Sequence, residues 1–164
     1  MTYQWLTILV SLLFSAFFSG MEIAYVSSNK IHIELEKKQN NFLAKTLSKL
    51  TVKPSKFIAT MLIGNNVALV IYGFFMGDVL LNWFQTLLPS NYQVINLALT
   101  DFTLLTQTII STLIILVTAE FLPKVFFQIY SNTLLRIFAI PAYLFYVLFS
   151  FISDFVIWMS DLVL

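Results

Sequence analysis

"FIATMLIGNNVALVIYGFFMG", residues 57–77, runs for 21 residues without a charged side chain. A helix needs about 20 apolar residues to cross the hydrocarbon core of a bilayer, so the stretch reads as a transmembrane helix. Its centre is unusual. Gly64, Asn65 and Asn66 place two carboxamides at a depth without water, where a polar group is costly unless it finds a partner. Adjacent helical positions point about 100° apart. One amide can therefore hold a neighbouring helix while the other faces a ligand. A simple helix–helix clamp is equally consistent with this stretch alone.

The rest of the chain agrees with a membrane setting. Hydrophobic types make up 59% of its 164 residues and charged types 10%, against about 25% charged in soluble domains. That is more apolar surface than a soluble core of this size can hide. Seventeen Phe and seven Tyr suit lipid-facing and interfacial positions. The net charge of +1 gives no attraction to nucleic acid, and with no cysteine and only His32 a zinc site is a poor fit. No nucleophile–base pair points to an enzyme.

Three further apolar blocks lie at roughly 3–28, 102–119 and 137–153. The first has no charge from Met1 to Met21 and meets its lysines only afterwards, which indicates a retained span instead of a cleaved leader. The third reaches spanning length only by continuing through Glu120. The fourth is short and contains Pro141; crossing and re-entry both stay open for it. Residues 29–56 carry seven lysines against Glu34 and Glu36, whereas 78–101 carry Asp78 and Asp101 and no base. The excess of lysine places 29–56 in the cytoplasm and the N-terminus outside. Within 30–50, Ile31, Leu35, Phe42, Leu43, Leu47 and Leu50 recur among lysines, as in short amphipathic helices on the cytoplasmic membrane face. Pro54 and Ser55 mark the turn into the second span.

Two more polar constellations interrupt apolar helices. In "SAFFSGMEIA", residues 15–24, Ser15, Ser19 and Glu22 continue a stripe begun by Ser11. At about 100° per residue the four share one face, able to line a polar cavity or to bond back to their own helix. In "TAEFLPK", residues 118–124, Pro123 cannot donate to the carbonyl of Ala119. The expected result is an open carbonyl beside the Glu120 carboxylate. Alone, this stretch also fits a plain helix end with Glu120 paired to Lys124. Thr103, Gln107, Ser111 and Thr118 precede it as a polar stripe. All three constellations offer oxygen and none offers sulfur, a donor set suited to Mg²⁺ or Ca²⁺, with Na⁺ also fitting.

"FFSGMEIA", "LIGNN" and "AEFLPK", in this order and spacing, resemble the transmembrane domain of the CorC/cyclin M (CNNM) magnesium transporters over essentially all 164 residues. The resemblance implies an all-α membrane protein. It would have three transmembrane helices, short amphipathic helices on the cytoplasmic side and a re-entrant or juxtamembrane helix. It implies a homodimer in lipid, in the inner or plasma membrane, with a cytoplasmic C-terminus normally leading to CBS and CorC-type domains. Residues 1–164 would then be one transmembrane domain of a longer chain. The implied function is Mg²⁺ export by alternating access coupled to Na⁺; the alternative is a Mg²⁺-binding sensor or scaffold that regulates another transporter. Carried over by motif, Ser19, Asn65, Glu120 and the Ala119 carbonyl are the metal ligands, and Glu22 and Asn66 shape the cavity. Ala119 stands where the family usually has glycine.

Overall fold

The computed structural model describes residues 2–39, 42–88 and 93–163. Among them every regular element is helical. The order is α1 (Thr2–Ser27), α2 (Lys30–Lys37), α3 (Phe42–Thr51), α4 (Pro54–Leu87), α5 (Gln93–Thr100) and α6 (Thr103–Ile115). A π-helical turn (Leu116–Phe121) follows, then α7 (Leu122–Ile129), α8 (Ser131–Ile137), α9 (Ala139–Leu148) and α10 (Ser150–Val163). Three helical stretches are long and apolar enough to cross a membrane: Thr2–Ser27, Pro54–Leu87 and Thr103–Ile129. The protein is a multi-pass, all-α membrane domain. The middle of the acidic 78–101 connector (residues 89–92) and Asn40–Asn41 of the 30–50 segment lie outside the described residues.

The second span differs from its expected end at Gly77. It begins at Pro54, in the first helical turn where a missing N–H does no harm, and continues to Leu87. Asp78 alone does not stop it, because Leu80 and Phe84, four residues apart, still bury on one face. The helix ends where the chain must end it. Leu88 precedes Pro89 and turns extended, with φ −97° and ψ 144°, as the residue before proline prefers.

α1 packs antiparallel along α4, and two apolar cores form at opposite ends of the pair. One contains Ile8, Tyr72, Met76, Leu80 and Phe84. The other, toward the lysine-rich connector, gathers Phe18, Met21, Leu47, Leu50, Phe57 and Met61 with residues from α7, α8 and α9. Two glycines permit the tight contacts in this second core. A Cβ on Gly64 would lie 2.6 Å from the Phe18 ring, and one on Gly20 would lie 2.6 Å from the Phe127 ring. Phe18 has little room to yield. It is buried, and Phe145, Phe17, Phe14 and Phe149 surround it with ring centroids 4.8 to 6.4 Å away.

The fourth apolar block folds back. α8 starts beside the end of α1, where the backbone N–H of Asn29 donates to Asn132 Oδ1 at 3.0 Å. α8 and α9 meet at a bend of 63°. α9 then turns Phe145 toward Phe18 and sets Tyr143 and Tyr146 each 5.4 Å from an ammonium, of Lys49 and Lys56 respectively. α10 closes the block. Lys56 Nζ donates to Ser150 Oγ and Asp154 Oδ2, both at 2.6 Å, and Thr60 and Ser153 share a hydroxyl hydrogen bond of 2.9 Å. Both ends of the block therefore sit at the lysine-bearing end of the bundle. The two expected amphipathic helices are α2 and α3. Leu47 and Leu50 bury against the bundle, whereas Ile31, Leu35 and Phe42 stay exposed.

Two outcomes are expected. Gly64→Ala should lower thermal stability by roughly 1–3 kcal/mol, the usual cost of overpacking, and a Phe18→Leu background should recover part of it; an unchanged melting temperature would contradict the contact. The hydrogen bond from Lys56 chiefly holds the Asp154 carboxyl below the usual aspartate range, with the Lys56 charge adding to it. A lowered folded-state value means stability present above the ordinary aspartate pKa and lost as pH falls through the lowered one. Acid titration of thermal stability should thus be flatter for Asp154→Asn than for the parent, with the parent more stable at neutral pH.

Candidate functional site

Between the two apolar cores lies a polar layer. Ser11, Ser15 and Ser19 recur every fourth residue on α1, so they form one stripe, and all three are buried. Ser15 Oγ–H donates to Asn65 Oδ1 of α4 at 2.6 Å. One turn further along, Ser19 Oγ–H donates to the Ala119 carbonyl of the π turn at 2.8 Å. A second acceptor, Ala16 O of its own helix, is more distant at 3.4 Å. All three spans meet at these two hydrogen bonds, separated along α1 by about 6 Å of helical rise.

The geometry of the third span follows from Pro123. With no N–H at that position, the α-helical pattern fails one turn earlier. The helix widens over Leu116–Phe121, and the Leu122 N–H donates to Val117 O, five residues back. Such π turns are rare and concentrate at functional sites. The Ala119 carbonyl is not left open, as the sequence suggests; the Ser19 hydroxyl occupies it. The methyl of Ala119 is accommodated with the residue fully buried, so alanine in place of the family's usual glycine does not keep the carbonyl from its neighbour.

Of the six residues expected at the site, Ser19 and Ala119 are in direct contact. Asn65 joins them through Ser15, and Glu120 follows Ala119 in the π turn. The Glu120 carboxyl is half-buried, with Oε2 3.8 Å from Lys124 Nζ. This is the pairing that the plain helix-end reading anticipates, at the long limit of an ion pair. Glu22 is half-buried on α1, one turn after Ser19, and has no ion pair or hydrogen bond among the described residues. Asn66 is exposed on the outer side of α4, as the 100° offset from buried Asn65 requires. In a single chain it does not join the site.

The stripe on α6 behaves differently. Thr103 bonds back to the carbonyls of Leu99 and Thr100 at the end of α5, and Thr118, in the π turn, to that of Ile114 in α6. Ser111 contributes its backbone carbonyl to the Tyr72 hydroxyl at 3.2 Å. Gln107 approaches Gly77, where its Nε2 would lie 2.7 Å from an added Cβ. The residue that sequence reasoning passed over as a partner is Ser15. Its place in the serine stripe was readable, but its match to Asn65 depends on the register between α1 and α4.

Chemically, the layer is a set of oxygens with little charge. It offers hydroxyls, one amide oxygen, one backbone carbonyl and the Glu120 carboxylate nearby. No group of three His, Cys, Asp or Glu able to hold a metal occurs among the described residues. A soft metal has no ligands here, and a hard cation would meet neutral oxygens first.

Comparison with known proteins places the chain. The family described as the cyclin M transmembrane N-terminal domain matches residues 5–164. The chain is also similar to the UPF0053 inner membrane protein YfjD of Escherichia coli (strain K12), with 39% identity over 57 residues. That alignment covers 35% of this chain and 13% of YfjD, so it spans only a small part of the relative's length.

Removing both sides of the Ser15–Asn65 contact gives a direct measure of the layer. A double-mutant cycle of Ser15→Ala and Asn65→Ala, read by thermal or denaturant unfolding in detergent, should return a coupling of about 0.6 kcal/mol, the average for hydrogen bonds between membrane helices, and at most about 1.7 kcal/mol. Additive single mutants would show that the two side chains are not coupled.

Proposed function

The chain belongs to the cyclin M transmembrane N-terminal domain family, and from that premise we propose that it moves Mg²⁺ out of the cytoplasm. The supporting observation is the spacing of the oxygens at the seam. Ser19 Oγ and Ala119 O are 2.8 Å apart. Oxygens at 2.0–2.1 Å from an octahedral Mg²⁺ stand about 2.9 Å from their neighbours. A cation can therefore bind both oxygens with little movement of either, the Ser19 hydroxyl keeping its proton and turning it away from the Ala119 carbonyl. Asn65 Oδ1 supplies a third oxygen once Ser15 releases it.

Glu120 contributes the one carboxylate. Mg²⁺ sites commonly use one or two carboxylates and retain several waters, so a thinly charged layer suits this ion better than a cage of acids would. In the same proposal Glu22 shapes the water-filled approach, whereas Asn66 faces away from it in the single chain. Outward direction and Na⁺ coupling follow the family resemblance, with alternating access as the mechanism. The lysine excess at the α2–α3 end supports a cytoplasmic position for that end and for α10, and an external N-terminus. The working unit is a homodimer in the cell membrane.

Purified protein in Mg²⁺-loaded proteoliposomes tests the reading. An inward Na⁺ gradient should drive Mg²⁺ efflux. Glu120→Gln and Ser19→Ala should each reduce it by about tenfold or more, the factor corresponding to ~1.4 kcal/mol of lost interaction. Normal efflux from Glu120→Gln would end the assignment. Mg²⁺ binding without flux under any Na⁺ gradient would instead favour a sensor or scaffold.

A further inference from the structure

We propose that the outward face of α2 and α3 is a binding surface for anionic phospholipid headgroups. The chain itself holds this pair of helices at the bilayer surface. Only Ser28 and Asn29 separate α1 from α2, and only Val52 and Lys53 separate α3 from α4. The three Cα–Cα steps across each two-residue link reach about 11 Å at most, so the joined end of each helix stays near the level at which the spans end.

The two helices have distinct faces. Ile33 and Glu36 of α2, and Leu47 and Leu50 of α3, are buried against the bundle. Helical spacing sets Ile31 and Leu35 on the opposite side of α2, and Phe42 beside Lys45 and Lys49 on the opposite side of α3. Ile31 is 71% exposed, Leu35 58% and Phe42 70%. Apolar side chains this open, interleaved with lysines, are unfavourable in water. They are stable where the apolar atoms enter the acyl boundary and the ammonium groups reach the headgroups.

Charge decides which lipid. Both glutamates of the segment are used within the protein. Glu34 pairs with Lys37 at 2.6 Å, and Glu36 faces Arg136 at 3.4 Å and His32 at 3.8 Å. Lys56 is held by Asp154, and Lys49 lies over the Tyr143 ring. Lys30, Lys38 and Lys45 form no ion pair among the described residues, and Lys53 lies close enough to Asp154 for its charge to act on that carboxylate. The exposed face thus keeps an excess of positive charge, with Lys30, Lys38 and Lys45 unpaired among the described residues. Its complement is a leaflet rich in phosphatidylglycerol or another anionic lipid.

Depth measurement tests this directly. The natural sequence has no cysteine, so Ile31→Cys and Phe42→Cys give unique spin-label positions on exposed side chains. The full chain is reconstituted in vesicles of phosphatidylcholine alone and of phosphatidylcholine with phosphatidylglycerol. Accessibility of each label to oxygen and to a water-soluble nickel chelate is then compared. The expected result is a several-fold higher oxygen-to-nickel ratio with phosphatidylglycerol. It should be lost in high salt and in the combined Lys30→Gln, Lys38→Gln, Lys45→Gln, Lys53→Gln protein. Equal ratios in the two vesicle types would overturn the proposal. So would nickel protection that ignores lipid charge and rises with protein density, because a second copy of the chain would then be the occupant.

Discussion

Pro123 has no N–H to give, and inside a bilayer no water stands ready to replace a missing donor. The third span must satisfy its freed carbonyls by other means. It widens into a π turn, and α1 brings the Ser19 hydroxyl to Ala119. For that hydroxyl to arrive, α1 must lie close to the third span, and Gly20 is what allows it, because the Phe127 ring occupies the space a Cβ would fill. One turn earlier on the same face of the helix, Ser15 meets Asn65, and Gly64 admits Phe18. A missing hydrogen-bond donor thus sets the approach of one helix, and small residues beside the polar ones make that approach possible.

The three spans do not share this arrangement equally. The most apolar windows of α1 and α4 are each 39% buried, but that of the third span is 6% buried. The candidate site lies at the seam between a well-packed pair and a loosely held partner. Packing of a rigid kind surrounds Phe18, whereas the π turn is attached chiefly through hydrogen bonds and the Gly20–Phe127 contact. Within the single chain the third span is the wall with the least of its apolar window buried.

The three spans were legible because a soluble fold of this size has no room to bury several charge-free runs of that length. The seven lysines of 29–56 marked the connector, and the recurrence of Ile31, Leu35, Leu47 and Leu50 marked its helices. The end of α4 was less legible. Asp78 suggested a boundary, but one charge is weaker than the continued burial of Leu80 and Phe84, and the helix ends only at Leu87. Of the candidate site, Ser19 and Ala119 were named from their motifs. What a single sequence does not contain is the register between helices. Register decides that Ser15, and not Ser11 or Ser19, meets Asn65. It also decides that the carbonyl freed by Pro123 is filled by a hydroxyl from residue 19. The return of the fourth block depended equally on a distant pairing, of Lys56 with Asp154, whose partners are 98 positions apart.

The length of α4 carries a mechanical consequence. Its 34 residues extend about 51 Å, well beyond a hydrocarbon core of about 30 Å. Lys56 and Asp78, separated by about 33 Å of helix, bracket that core and resist entering it. Sliding α4 along the membrane normal would drag one charge inward, so a thinner bilayer has to be met by tilt. Asn65 lies between the two charges, near the pivot of such a tilt. Membrane thickness thereby constrains the inclination of the helix that carries Asn65.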